Sequence, residues 1–197
     1  SVEEKVVDIF NDHFYDSGKV NIDGSILKCW KAGGHGSQTF LEVLQNSCNP
    51  GFVKMGGLLG KETLFSYIDL FGFGKKTGID YHGEAYGLLL NEEVVRGCDL
   101  ARIGFGQTIA VSGIQLACAT ASAVNGGYYY TPRLVKKIYA EDGNVLEEKQ
   151  TSLKNRTISE KTSALLAEML EGVVRDGSGK KAYIDGYRGG GKTGTAQ

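Results

Sequence analysis

Apolar residues return every three or four positions in several stretches of this chain, and that spacing predicts helices. From Thr39 the run Phe40, Leu41, Val43 and Leu44 predicts a short helix capped by Ser37 or Thr39. It is broken at Ser47-Cys48-Asn49-Pro50. Pro50 pushes Asn49 toward an extended conformation and suits the first turn of a second helix, which carries Phe52, Val53 and Met55. Lys61 to Phe71 places Leu64, Phe65, Ile68, Leu70 and Phe71 at helical spacing and stops at Gly72. Gly113 to Val124 reads as a helix of small residues ended by Asn125-Gly126-Gly127. Ser159 to Val174 is the clearest amphipathic pattern: Ser159 caps it, and Leu165, Leu166, Met169, Leu170 and Val173 form one face.

Between these lie strand and turn signals. The first thirty residues read as a loop with one short hairpin, punctuated by Asp16-Ser17-Gly18 and Asp23-Gly24. Tyr128 to Tyr139 and Asn144 to Lys149 flank Asp142-Gly143 and predict a hairpin. Residues 73 to 110 are rich in glycine and read as irregular. Ala182 to Tyr187 predicts a strand, with a second starting near Gly190. Helices early, strands late and no βαβ alternation predict an α+β fold.

Composition narrows the function classes. The 197 residues suffice for one domain with a core, and 41% hydrophobic with 23% charged residues is ordinary globular usage. A formal charge of -1 gives no basic field for nucleic acid. No apolar run approaches the length of a membrane helix. The four cysteines are too few for a disulfide scaffold in a chain this long. Cys118, and Cys98 with it, read as core filling. The glycine clusters serve turns and caps, or bring backbone close to a ligand.

Candidate chemistry sits at Gly191-Lys192-Thr193-Gly194-Thr195-Ala196-Gln197. Lys-Thr-Gly after a strand-like segment is one of three elements shared by penicillin-binding proteins and serine β-lactamases. A strand edge offers N–H and C=O groups to an extended peptide, and Gly194 leaves that approach open. Lys192 supplies positive charge toward a carboxylate, and Thr193 and Thr195 supply hydroxyls. Gly186 to Thr193 also matches a phosphate-binding P-loop formally, but no βαβ unit surrounds it and no helix-forming stretch follows. The second element is Ser-x-Asn, here Ser47-Cys48-Asn49 at a helix break.

The tripeptide gains weight from its surroundings. Leu44 to Phe52, Gly34-His35-Gly36, Phe71-Gly72-Phe73-Gly74, Gly83-Glu84, Gly104-Phe105-Gly106-Gln107, Ser112 to Ala117, Ala123 to Gly127, Pro132 and Gly179 to Ala182 closely resemble class B penicillin-binding proteins. The Cys29-Trp30 and Ser47-Cys48-Asn49 variants are most similar to the sporulation-type enzymes of spore-forming Gram-positive bacteria.

The resemblance implies an incomplete penicillin-binding protein/serine β-lactamase-like transpeptidase fold spanning residues 1–197. The upstream Ser-x-x-Lys segment, the C-terminal strands and the closing helix are expected to lie outside it. It implies two-step acyl transfer on stem peptides ending in D-Ala-D-Ala, trapping by β-lactams, and no cofactor for catalysis. Ser47 would relay a proton toward the leaving amine, Asn49 would orient substrate, and the Thr195 N–H would form half of an oxyanion hole. A membrane glycosyltransferase partner and a location on the outer face of the cytoplasmic membrane, through an upstream anchor, are also implied. The alternative is a non-catalytic β-lactam sensor. Ser25-Ile26-Leu27-Lys28 matches Ser-x-x-Lys formally, but it follows a turn and lies 22 residues before Ser47, much closer than in the family. Ser25 is therefore not expected to be the nucleophile.

One further group stands out. Cys29, His35 and Cys48 supply thiolate and imidazole, the preferred ligands of tetrahedral zinc, and Asp16 could give a fourth. Their spacing matches no standard zinc knuckle. A Cys29–Cys48 disulfide, acting as a redox switch on the Ser-x-Asn loop, and two unpartnered buried thiols are the alternatives. Zinc and the disulfide both require the two sulfurs to be neighbours.

Overall fold

The computed structural model describes residues 1–194. Two antiparallel pairs open the chain. Strand β1 (His13–Asp16) pairs with β4 (Gly36–Thr39), in a register that sets Asp16 opposite Gly36. Between them β2 (Lys19–Ile22) and β3 (Ser25–Lys28) form the expected hairpin around Asp23-Gly24.

Helix α1 (Phe40–Gln45) begins where its cap dictates. Thr39 accepts the Glu42 N–H while Glu42 reaches back to the Thr39 N–H, a reciprocal capping box. Helix α2 (Asn49–Leu59) has Pro50 in its first turn. Asn49, expected to be extended, is instead its first residue, and Cys48 before it is extended. Helix α3 (Lys61–Leu70) stops before Gly72. Helix α5 (Gly113–Val124) is capped by Ser112, and α6 (Glu160–Arg175) by Ser159.

Three further expectations need correction. The stretch 73–110 is not wholly irregular: a 3₁₀ turn (Glu92–Val94) and helix α4 (Gly97–Gly104) form there. Tertiary packing overrides the glycines, because Ile103 joins Phe65, Ile68 and Val95 in one core and Ala101 joins Leu27 and Val53 in another. Tyr128 to Tyr139 is not one hairpin arm. It divides into β5 (Tyr128–Tyr130), which pairs with β8 (Leu153–Arg156), and β6 (Lys137–Tyr139), which pairs with β7 (Val145–Glu148). Pro132 lacks the N–H a continuous ladder requires.

The third correction concerns the C-terminal segment. Ala182 to Tyr187 forms no strand, nor do the described residues from Gly190 to Gly194. A 3₁₀ turn (Lys180–Ala182) leads into the first, and the Gly191 N–H donates to the Leu170 carbonyl on α6. A strand exists only as a ladder with a neighbour, and no strand among the described residues lies beside this segment.

The largest core cluster joins Val7, Ile9, Cys29, Phe40, Val43, Cys48 and Met169. It packs α1 and α6 together and seats the turn between α1 and α2 on buried side chains. No helix among the described residues is long and apolar enough to cross a membrane.

Candidate active site

The turn after α1 is built as a Schellman motif. The Cys48 N–H donates to the Val43 carbonyl and the Ser47 N–H to the Leu44 carbonyl. Val43 and Cys48 are fully buried, supplying the apolar contact that accompanies this motif. The geometry puts Ser47 at the left-handed position that glycine normally fills, with φ +53°. A serine held there is strained by about 1 kcal/mol or more, the kind of local cost that concentrates at functional sites.

Ser47 meets Lys192 across the chain. Lys192 Nζ donates to Ser47 Oγ at 2.6 Å, although the two residues lie 145 positions apart. The same ammonium donates to the Thr193 carbonyl at 2.9 Å and stands 5.7 Å above the Phe52 ring. Lys192 is exposed by surface area, yet the protein around it displaces enough water to hold its pKa below the ordinary lysine value. Thr193 Oγ1 lies 3.0 Å from Ser178 Oγ. Among the described residues, nothing lies within 4 Å of where a Cβ on Gly194 would be. Asn49 does not point at this group: its Nδ2 donates to the Lys28 carbonyl at 3.1 Å. Thr195 lies outside the described residues.

Ser25 and Lys28 occupy β3, where residues three apart point to opposite faces. Ser25 and Leu27 turn inward, and Ile26 and Lys28 outward. A serine activated by a lysine three positions on needs a helix, which brings both to one face. The segment Gly186 to Gly191 follows a 3₁₀ turn rather than a strand, so it lacks a P-loop's framework.

Behind Ser47, the donor atoms of Asp16, Cys29, His35 and Cys48 all lie within 4.8 Å of one another. Asp16 ends β1, Cys29 follows β3, His35 precedes β4 and Cys48 is the N-cap of α2. Asp16 Oδ2 accepts from the His35 N–H at 3.0 Å and from Cys48 Sγ at 3.3 Å, and lies 3.0 Å from His35 Nδ1. Its Oδ1 accepts from the Gly18 N–H at 2.7 Å. Cys29 Sγ lies 3.3 Å from His35 Nδ1. Burial alone would raise the Asp16 pKa, but hydrogen bonds from Cys29, Gly18, His35 and Cys48 together pull it down to about 2. Burial pushes Cys48 up to about 12, with the Asp16 carboxylate adding to it, and raises Cys29 as well. Without a metal, both thiols keep their protons at neutral pH.

The cluster is tied to the Ser47 turn at its edges. Trp30 Nε1 donates to the Asn46 carbonyl at 2.9 Å and its ring meets His35 edge-on at 5.4 Å. With the Asn49–Lys28 bond, this makes residues 28–30 a brace along residues 46–49.

The penicillin-binding protein transpeptidase domain model matches residues 2–197. The chain belongs to that family. It is 50% identical over its whole length to stage V sporulation protein D of Bacillus subtilis, of which it covers 31%. It is 30% identical to a peptidoglycan D,D-transpeptidase FtsI homolog of Mesostigma viride, with 95% of this chain and 35% of the relative aligned. The chain thus spans about a third of the length of these curated relatives. The Mycobacterium tuberculosis penicillin-binding protein 3 structure in complex with aztreonam superposes with a TM-score of 0.90 at 26% identity, covering all of this chain and 45% of that one. The D,D-transpeptidase domain of a peptidoglycan glycosyltransferase from Eggerthella lenta matches with a TM-score of 0.90 at 23% identity, covering all of this chain and 50% of its own.

Within this transpeptidase domain, sequence reading missed Phe52 beneath Lys192, Trp30 on the Asn46 carbonyl and Ser178 beside Thr193. Phe52 was visible only as an apolar helix residue. Nothing local to Gly177-Ser178-Gly179 signals a contact with Thr193, because that contact arises from packing between distant segments.

Proposed function

We propose that this chain forms the substrate cleft of a serine-type peptidoglycan D,D-transpeptidase whose nucleophile lies outside residues 1–197. The observation that carries this is the 2.6 Å contact between Lys192 Nζ and Ser47 Oγ, which joins two motif segments at one point. An apolar cavity of about 310 Å³ lies alongside, lined in part by Phe40, Leu44, Phe52, Met55, Leu166 and Met169. It offers a partly open apolar seat for a helix bearing a Ser-x-x-Lys motif.

In this reading the upstream serine oxygen attacks the carbonyl carbon of the penultimate D-Ala. The C–N bond to the terminal D-Ala breaks, and its amine takes a proton. An amine from a neighbouring stem peptide then attacks the acyl ester, forms the cross-link and returns a proton to the serine. Ser47 would pass the proton toward the leaving amine, with Lys192 polarising its hydroxyl. Lys192 and Thr193 present a cation and a hydroxyl to the terminal carboxylate. Asn49, freed of Lys28, would orient the peptide, and Gly194 and Thr195 would line the extended substrate. The names of the relatives support a place in peptidoglycan assembly. The outer face of the cytoplasmic membrane and a glycosyltransferase partner are what the family resemblance implies. The test is incubation of the full-length protein with a fluorescent penicillin and with a D-Ala-D-Ala stem peptide. Covalent labelling with D-Ala release and cross-linking supports the transpeptidase. Labelling without any turnover of peptide supports a β-lactam sensor instead.

For the second cluster we propose a zinc site formed by Asp16, Cys29, His35 and Cys48. Its support is the convergence of two sulfurs, an imidazole nitrogen and a carboxylate oxygen inside 4.8 Å, from four separate elements. Ligands about 2.0–2.3 Å from one ion lie within 4 Å of each other, so the groups need shift only slightly to close on it. Binding would release the thiol protons and join β1, β3, β4 and α2 behind Ser47. Freshly purified protein, prepared without added reductant, is expected to carry one zinc per chain, measured by elemental analysis with thiol counting on the same sample. A metal-free protein that has lost two titratable thiols marks the disulfide, and one with both thiols free marks neither.

A further inference from the structure

One contact at the cleft is not explained by either motif. The Ser178 N–H donates to the Gln45 carbonyl at 2.8 Å. The Ser178 hydroxyl lies 3.0 Å from that of Thr193. Thr193 offers its carbonyl to Lys192, and Lys192 donates to Ser47, which lies two residues beyond Gln45. These bonds close a ring: Gln45, Ser178, Thr193, Lys192, Ser47 and back along the backbone. Ser178 is its one member outside the Ser-x-Asn and Lys-Thr-Gly segments and the turn leading into them.

Its position is fixed from both sides. The Gly177 and Gly179 N–H groups both donate to the Val173 carbonyl, near the end of α6, at 3.1 and 3.0 Å. A Cβ on Gly177 would press against the Gln45 carbonyl oxygen at 2.5 Å, so this loop lies flush on the end of α1. Ser178 thereby carries the rigidity of α1 and α6 to the Thr193 hydroxyl.

We propose that Ser178 is a positioning residue for carboxylate recognition, resting on the transpeptidase reading above. A threonine hydroxyl has one proton to give. When Ser178 donates to Thr193 Oγ1, the Thr193 proton is left for a ligand carboxylate, and the two hydroxyls polarise one another in sequence. Without Ser178, the Thr193 hydroxyl is free to turn toward the Lys192 side or to water. The consequence is specific: Ser178 matters to ligands that bear the carboxylate and is indifferent to those that do not.

The test uses the full-length protein and compares acylation by benzylpenicillin with acylation by its methyl ester. Ser178→Ala is expected to lower the acid-to-ester ratio of second-order acylation constants about tenfold, with the ester rate nearly unchanged. Ser178→Thr, which keeps the hydroxyl at an exposed position, should retain the ratio. In a Thr193→Val background, Ser178→Ala should change the ratio no further. Should Ser178→Ala melt early, the isosteric Ser178→Cys serves the same comparison, with an intermediate loss expected. An unchanged ratio in Ser178→Ala, or an equal loss in Ser178→Thr, overturns the proposal while acylation itself stands. A wild-type protein that neither β-lactam acylates overturns the transpeptidase reading and this one with it.

Discussion

Replacing Lys192 by Ala in the full-length protein is expected to slow acylation by benzylpenicillin about a hundredfold or more. The ammonium does two things at once: it donates to Ser47 Oγ and faces the place a ligand carboxylate would take. Truncation removes a charge-assisted hydrogen bond and leaves the hydroxyl of Ser47, a residue held in a left-handed backbone conformation, without this partner. The pH dependence follows from the same residue. Surrounding protein lowers its pKa, so its charge is lost at a lower pH than for a free lysine. The alkaline limb of the acylation profile should therefore begin below the ordinary lysine range. Lys192→Arg, always charged in this range, should remove that limb even where its shape lowers the rate. A Lys192→Ala protein acylated at the wild-type rate would remove this residue from the mechanism.

The second large effect concerns stability. Gly33 and Gly34 share a left-handed backbone, with φ +80° and +78°, but not the space around them. A Cβ on Gly33 meets nothing within 4 Å, whereas one on Gly34 would strike the Asp16 carbonyl oxygen and the Gly18 nitrogen. Gly33→Ala should cost about 1 kcal/mol, the price of the left-handed conformation alone. Gly34→Ala should cost more than about 3 kcal/mol, because backbone atoms have to move apart. The displacement falls beside His35 and Asp16, so the zinc content expected of the cluster should fall with it. Paired unfolding curves of the two variants check this, and equal losses would contradict the close approach at Gly34.

Much of the fold was legible because its signals are local. Thr39 with Glu42, Pro50 and Ser159 fix helix starts through groups that lie within one turn of the residues they cap. Helix α4 was not legible: its first and last residues are glycines, and what holds it is packing against α2 and β2, with Ile103 set among Phe65 and Ile68 of α3, rather than its own propensity. The strand expected at Ala182 to Tyr187 failed for the complementary reason, since a strand-like stretch of sequence supplies no neighbour to pair with. The donor set Asp16, Cys29, His35 and Cys48 could be named from chemistry alone. Their convergence depends on the β1–β4 register and on the Schellman turn that drives Cys48 inward, and neither is written in the spacing of the four residues. The Ser47–Lys192 contact rests on packing of α6 and the segment beyond it against the end of α1, which only the folded chain displays.

The central claim is that these residues form a cleft for a serine supplied from elsewhere in the protein. The most direct measurement is tandem mass spectrometry of the full-length protein after reaction with benzylpenicillin, to locate the acylated residue. The adduct is expected on a serine outside residues 1–197, followed three positions later by lysine, and Ser25→Ala should leave its yield unchanged. An adduct on Ser25, or none on any serine, would contradict the account.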